Sequence, residues 1–467
     1  MSQQYDFGMV GLGVMGRNFI LNVADHGFSA IGLDTDTAKS TALHQEGSGK
    51  PVKGTTSKQE FVSSLKSPRT IMLLVPAGGP VDAVIEDLLP LLDKGDLLID
   101  GGNSFYTDTN RREKYLSEKG IHFMGIGVSG GSKGARFGPS IMPGGPKDAY
   151  GIVQPILEAV SAKVNGDPCV AYLGSGSAGN YVKMVHNGIE YGLMQLISET
   201  YDLMKRGLGL TNEELHEVYA RWNTQRLQSF LIEITASIFT TDDTLASGKL
   251  VDAILDRAKQ KGTGKWTSQN AMDLGTPVPT IDMAVTMREL SALKEERVQA
   301  EKLYGTTSAI SGDKKAVVDQ IEQALYFAYI ITYAQGLAQL TTASEEYKYG
   351  LELETVARIW RGGCIIRAGL LEHIRQAYSK TPDLANLLLD ETTAKEVNAV
   401  QAATRQVISY GVTSGIPVPA LAACLSYFDA YRSGRLPSNL IQAQRDFFGS
   451  HTYERLDREG IFHTEWE

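Results

Sequence analysis

The run Phe7-Gly8-Met9-Val10-Gly11-Leu12-Gly13-Val14-Met15-Gly16 carries a short apolar strand straight into a Gly-x-Gly-x-x-Gly turn that opens a helix. Each glycine has a mechanical reason. Gly11 permits the tight turn, Gly13 lets backbone approach a pyrophosphate, and Gly16 lets helix and strand pack closely. The helix that follows offers free N–H groups and a positive dipole end to phosphates. Leu12, Val14 and Met15 complete the loop expected to line a dinucleotide. Asp34 ends the next strand, 21 residues beyond Gly13, where a ribose-binding acid belongs, and Thr35 follows it. The competing structural reading of Asp34 is a helix N-cap.

Outward from this run, the first third of the chain alternates short apolar segments with helical ones. Phe7–Val10, Ala30–Leu33, Thr70–Val75, Leu97–Asp100 and His122–Gly125 read as buried parallel strands. That alternation predicts an α/β, Rossmann-type doubly wound domain. After Gly179 the strand signals nearly vanish. Long amphipathic segments take over, at 181–205, 212–222 and 314–341, and predict a large all-α second domain. From Pro437 the chain begins helical and ends polar and aromatic, as an arm over a neighbouring surface would. The expected units are therefore 1–178, 179–436 and a C-terminal tail over 437–467. At 467 residues the chain is too long for one hydrophobic core.

Lys and Arg total 45 against 54 Asp and Glu, a formal charge of -9. There is no basic run and no interleaving of basic and aromatic residues, which points away from nucleic acid as a partner. Cys169, Cys364 and Cys424 are widely separated, have no metal-ligand spacing, and fit a reducing compartment. No metal is expected. The N-terminus, Met1-Ser2-Gln3-Gln4-Tyr5-Asp6, lacks a basic n-region and an apolar h-region, and no apolar run approaches a membrane span. A cytoplasmic protein without membrane partners is expected.

The chemistry concentrates where the helical part begins, in Ser177-Ala178-Gly179-Asn180-Tyr181-Val182-Lys183-Met184-Val185-His186-Asn187-Gly188-Ile189-Glu190-Tyr191. At 3.6 residues per turn, Lys183, His186, Asn187 and Glu190 share one face. Lys183 and Glu190 are two turns apart, about 10 Å along the axis, enough to reach different carbons of a short sugar acid.

At these residues the chain resembles the decarboxylating 6-phosphogluconate dehydrogenase family, within the wider β-hydroxyacid dehydrogenases. The resemblance runs nearly end to end and is strongest at KMVHNGIEYG from Lys183, QKGTGKWT from Gln260, WRGGCIIRAG from Trp360 and NLIQAQRDFFG from Asn439. It implies oxidative decarboxylation of a sugar-acid phosphate to ribulose 5-phosphate and carbon dioxide, with reduction of a nicotinamide cofactor. By resemblance, Lys183 is the general base at the C3 hydroxyl and Glu190 the acid that protonates C1 of the enediol. Ser129, Gly130 and Gly131 would hold the C1 carboxylate. Asn103 would bridge cofactor and substrate, while His186 and Asn187 orient hydroxyls. Tyr191, Lys261, Thr263 and Arg288 would bind the 6-phosphate, joined by Arg445 and His451 from the tail of the other subunit of a homodimer.

Three departures from the family pattern matter. Many members carry Asn-Arg-Thr after the second strand, where the arginine grips the 2′-phosphate of NADP. This chain has Asp34-Thr35-Asp36. Many read Val-Lys-Ala-Gly where this one reads Val75-Pro76-Ala77-Gly78. Both changes remove a cation and predict NAD as the preferred cofactor, with NADP as the alternative. The usual Ser-Gly-Gly-Glu-Glu loop is Ser129-Gly130-Gly131-Ser132-Lys133, which opens the reading to a related hexonate with a different 6-anion. Two further rivals are a β-hydroxyacid dehydrogenase that does not decarboxylate and an inactive nucleotide sensor. The phosphate set argues against the first, and retention of both Lys183 and Glu190 against the second.

Overall fold

The computed structural model describes residues 4–305 and 307–466. Met1, Ser2 and Gln3 of the N-terminal stretch, and Glu467 of the tail, lie outside the described residues.

The strand runs pair as read. They form β1 (Phe7–Val10), β2 (Ala30–Leu33), β4 (Thr70–Leu73), β5 (Leu97–Asp100) and β6 (His122–Ser129), joined by β3 (Val52–Thr55) and β7 (Ser140–Gly144) in a seven-stranded sheet of order β3-β2-β1-β4-β5-β6-β7. All neighbours are parallel except β7, which runs antiparallel to β6. β1, β2, β4 and β5 are buried along their whole length, as short continuous apolar runs must be when both sheet faces are covered. The strand order reverses between β1 and β4, so the crevice at their carboxyl ends is where a doubly wound sheet takes its ligand.

Two strands of this sheet, one at each edge, have no clear sequence signal. β3 is only partly buried and carries Lys53 and Gly54, and β7 contains Pro143, which a central strand would exclude. The strand expected to reach Val75 stops pairing at Leu73, and the one expected to end at Gly125 continues to Ser129.

The helices that matter for the site are α1 (Val14–Asp25), α2 (Gly131–Phe137), α3 (Ala178–Asp202), α4 (Thr263–Asp273), α5 (Pro279–Ala292), α6 (Lys314–Glu346), α7 (Glu391–Ser414), α8 (Pro419–Tyr431) and α9 (Ser438–Gly449). The segment read as helical over 181–205 is α3, which gives way to a wide π turn at Leu203–Gly207. The long central α6 is apolar around most of its circumference and packs on α3 and α7.

Glycines let α3 lie directly on the sheet. A Cβ at Gly127 of β6 would sit 2.4 Å from the Cβ of Lys183, and one at Gly179 would sit 2.3 Å from the carbonyl oxygens of Gly125 and Met142. This close approach sets Lys183 against the end of β6 and so joins the helical part to the dinucleotide-type sheet.

The tail folds on itself. Asp446 of α9, wholly buried, accepts hydrogen bonds from Thr452 N (2.9 Å), His463 Nδ1 (2.8 Å), Thr464 N (3.1 Å) and Trp466 Nε1 (2.9 Å). Leu440, Ile441, Phe448 and Leu456 are left exposed. Among the described residues no helix is long and apolar enough to cross a membrane.

Candidate active site

The glycine loop is built as its spacing requires. Gly11 has φ 94°, and a Cβ there would lie 2.5 Å from the Leu74 carbonyl oxygen. Gly16 packs so tightly that its Cβ would meet the Gly11 carbonyl at 1.9 Å, whereas Gly13 faces open space. The cradle above Gly13 and the N-terminus of α1 is therefore free for a phosphate group. Leu12 is buried, while Val14 is exposed and Met15 half-buried at the rim.

Asp34 ties this loop to β2. Its Oδ2 accepts from Leu12 N at 2.8 Å and its Oδ1 from Asp36 N at 3.0 Å, with Lys39 Nζ 3.5 Å from both oxygens. The helix Thr37–Glu46 is capped by Asp36, whose Oδ1 accepts from Ala38 N at 2.9 Å. The capping role considered for Asp34 thus belongs to Asp36, which leaves Asp34 beside the glycine loop. Thr35 is exposed next to it, and Val75, Pro76 and Ala77 lead from β4 to the turn at Gly78 (φ 86°). The expected dinucleotide residues from two loops thus converge on one crevice, and an open glycine cradle with a neighbouring carboxylate fits the adenosine half of a nicotinamide dinucleotide.

The polar stripe of α3 is a single cluster. Lys183 Nζ is 3.5 Å from His186 Nδ1, which lies 3.1 Å from Asn187 Oδ1 and 3.9 Å from Glu190 Oε2. His186 Nε2 is 3.3 Å from Ser129 Oγ, and the edge of Trp360 backs the imidazole at 5.6 Å between ring centroids. Burial pushes Lys183 below the usual lysine range, with the Glu190 charge partly offsetting it. Burial also pushes Glu190 up, against the pull of Lys183 and Arg288. His186 is driven well below the ordinary histidine value by burial and by the Lys183 charge, which keeps it neutral.

Ser129, Gly130 and Gly131 form the turn facing this cluster. Gly130 has φ 109°, and a Cβ on it would meet the Gly363 carbonyl oxygen at 2.4 Å. Gly131 opens α2 with nothing near its missing side chain. Two turn N–H groups and the Ser129 hydroxyl are the right chemistry for a carboxylate.

Immediately after Glu190, a second group of expected site residues gathers around Tyr191. The Arg288 guanidinium of α5 lies 3.4 Å over the Tyr191 ring, and its hydrogen bonds go to the Lys259 carbonyl and the Met194 sulfur. Tyr191 packs against Gly264 of α4, whose first residue is the buried Thr263. Exposed Lys261 stands just before, across Gly262 (φ 94°). Tyr191, Thr263 and Arg288 are thus brought together beside Lys261. Arg445 and His451 are not drawn into the cleft of their own chain. Arg445 donates to Gln442 Oε1 at 3.1 Å, and His451 packs on Phe448.

The support beneath Asn103 has no signal in the sequence. This exposed residue sits in the loop between β5 and the helix Tyr106–Ser117. Asp100 accepts from Gly102 N (3.0 Å), Ser104 Oγ (2.6 Å) and Arg112 Nη1 (3.3 Å). Arg112, fully buried, also grips the Gly78 carbonyl at 3.0 Å and both carboxylate oxygens of Asp82. One guanidinium therefore fixes the loop after β4 and the loop after β5 together. On the other flank, Asn180 Nδ2 donates to the Gly102 carbonyl (3.3 Å), and Asn180 Oδ1 accepts from Thr109 Oγ1 (3.0 Å). Taken alone, these side chains read as ordinary surface ion pairs and helix polar residues, and nothing in their spacing announces the network.

Two family models match the chain: "NAD binding domain of 6-phosphogluconate dehydrogenase" over residues 6–174, and "6-phosphogluconate dehydrogenase, C-terminal domain" over residues 179–466. The chain is 55% identical over 468 residues to a Bacillus subtilis (strain 168) protein named 6-phosphogluconate dehydrogenase, NADP(+)-dependent, decarboxylating, with 100% of both chains covered. An Escherichia coli (strain K12) protein named 6-phosphogluconate dehydrogenase, decarboxylating, is 51% identical over 468 residues, again across 100% of both. Among solved structures, Plasmodium falciparum 6-phosphogluconate dehydrogenase, described in apo form and in complexes with its cofactor NADP+ and its substrate 6-phosphogluconate, superposes with a TM-score of 0.96. It shares 45% identity over 99% of this chain and 100% of that one.

Proposed function

This chain belongs to the 6-phosphogluconate dehydrogenase family, and from that premise we propose that it oxidises and decarboxylates 6-phosphogluconate to ribulose 5-phosphate and carbon dioxide. The observation that carries the reading is the Lys183–His186–Glu190 cluster, in which one burial lowers the amine and raises the acid. Burial thus favours the neutral amine and the neutral carboxylic acid, the forms that a base and an acid need at one working pH.

When bound, a nicotinamide dinucleotide supplies the hydride acceptor. The work of the chain's own residues is proton handling and orientation. Lys183 as a neutral amine takes the proton of the C3 hydroxyl as C3 is oxidised. The product is a β-keto acid, and protonated Lys183 returns its proton to the C3 oxygen while the carboxylate, held by Ser129, Gly130 and Gly131, departs as carbon dioxide and leaves an enediol. Glu190 then gives its proton to C1 of the enediol as Lys183 takes the hydroxyl proton back, which leaves the ketone of ribulose 5-phosphate. His186 and Asn187 orient the hydroxyls, and Asn103 stands between dinucleotide and substrate. Tyr191, Lys261, Thr263 and Arg288 hold the 6-phosphate.

The phosphate grip can be tested without altering the protein. Gluconate, which lacks the 6-phosphate, should give kcat/KM on the order of 10⁴-fold below that of 6-phosphogluconate, because a site built around a charged group is left unpaired without it. Comparable values for the two would remove the phosphate from the reading.

We assign the preferred cofactor as NAD. A carboxylate at Asp34 suits two ribose hydroxyls and repels a 2′-phosphate, and Pro76 offers no cation. The variant carrying Asp34→Asn and Thr35→Arg is expected to shift the ratio of kcat/KM for NADP over NAD upward by at least about tenfold, since it removes one repulsive charge and adds a bidentate partner. An unchanged ratio would show that another group selects the cofactor.

We further propose functional units 1–178 and 179–436, a tail over 437–467 that completes the partner's site in a homodimer, and a cytoplasmic location. The exposed apolar side chains of α9 and the cleft-distant Arg445 and His451 support sharing. Mixed Lys183→Ala and Arg445→Ala subunits should regain part of the activity each lacks alone, because some mixed dimers of a two-fold pair hold one intact site. Demonstrated subunit exchange without recovery would rule sharing out.

A further inference from the structure

We infer that Asn180 is a positioning residue that registers the base-bearing helix on the Asn103 loop. The inference rests on the reading of Lys183 as base. Oxidation at C3 needs a proton and a hydride to leave one carbon–oxygen unit in opposite directions. The proton goes to α3 and the hydride toward the sheet crevice, so the two halves of the molecule must meet in a fixed register. Misplacement by about 1 Å costs on the order of 10²-fold in such reactions.

Asn180 lies one turn before Lys183 on α3 and is 2% exposed. Its amide uses both ends across the junction. Nδ2 donates to the Gly102 carbonyl, the peptide that leads into Asn103, at 3.3 Å, and Oδ1 accepts from Thr109 Oγ1 at 3.0 Å. The fit is close, since a Cβ at Gly125 would lie 1.9 Å from Oδ1. The far side of the loop is already fixed by Asp100, Ser104 and Arg112, all within the sheet domain. The amide of Asn180 carries that fixed loop's position to the helix bearing Lys183. It touches neither Lys183 Nζ nor the expected substrate positions, so its effect passes through the backbone of α3 and of residues 101–103.

The test compares the parent, Asn180→Ala and Thr109→Val with 6-phosphogluconate protiated or deuterated at C3. Asn180→Ala is expected to lower kcat on the order of 10²-fold, with KM for 6-phosphogluconate and Kd for the dinucleotide changed by less than about threefold. Its C3-deuterium effect on kcat should rise, because hydride transfer becomes the slow step. Thr109→Val, which removes only the donor that aims the amide, should move both quantities in the same direction by less. A folded Asn180→Ala protein with kcat within about twofold of the parent overturns the inference. So does a loss of kcat with an unchanged isotope effect and a parallel fall in melting temperature and dinucleotide affinity. If Asn180→Ala does not fold, a Thr109→Val enzyme with unaltered kcat and isotope effect overturns it. A parent that fails to oxidise 6-phosphogluconate would instead defeat the reading of the site as a whole.

Discussion

Replacing Lys183 with alanine is expected to lower kcat for the oxidation of 6-phosphogluconate by about 10²–10⁴-fold, with dinucleotide affinity held within about twofold. The amine lies on α3, whereas the glycine loop, Asp34 and the Val75–Ala77 segment belong to the sheet crevice, so the two functions are separable. Burial pushes Lys183 down, which is what allows an amine to accept a proton at neutral pH. Removing it also relieves His186 of the charge that, after burial, does most to hold its pKa down. The imidazole of the variant should therefore titrate at higher pH than in the parent, a shift readable by NMR. An alanine variant that keeps more than about half of the parent kcat would take the base role away from Lys183.

Glu190→Gln is expected to separate the steps. The amide has nearly the same shape but no proton to give, so protonation of C1 should slow by about 10²–10⁴-fold while oxidation and loss of carbon dioxide proceed. In a single-turnover experiment, reduced dinucleotide and carbon dioxide should appear before ribulose 5-phosphate. Burial raises the parent carboxyl above its ordinary value, so its acid form is present at low pH and is lost as pH rises through that raised pKa. The corresponding alkaline loss of product formation should be absent from the glutamine variant. Release of ribulose 5-phosphate at the parent rate would assign the acid elsewhere.

The fold was legible wherever one local rule dominated. The glycine spacing, the continuous apolar runs of β1, β2, β4 and β5, and the shared face of Lys183, His186, Asn187 and Glu190 follow from backbone geometry and periodicity, and the structure realises each of them. What stayed hidden was set by distant contacts. The edge strands β3 and β7 have mixed or proline-bearing sequences that pair only because a sheet is already there. The cap at Asp36 in place of Asp34 turned on a two-residue difference that only the Leu12 N–H contact decides. The Asp100–Arg112–Asn180 support joins residues up to 78 positions apart, beyond the reach of any pattern along the chain. The pKa directions of Lys183 and Glu190 likewise come from burial, which chemical identity alone does not convey.

The most direct measurement is the stoichiometry of one reaction mixture. The purified protein is incubated with 6-phosphogluconate and NAD or NADP, and reduced dinucleotide, carbon dioxide and ribulose 5-phosphate are quantified together. Equal amounts of all three are expected. Reduced dinucleotide without carbon dioxide would make the protein a β-hydroxyacid dehydrogenase that does not decarboxylate, and no turnover with either cofactor would contradict the assignment of this site to 6-phosphogluconate.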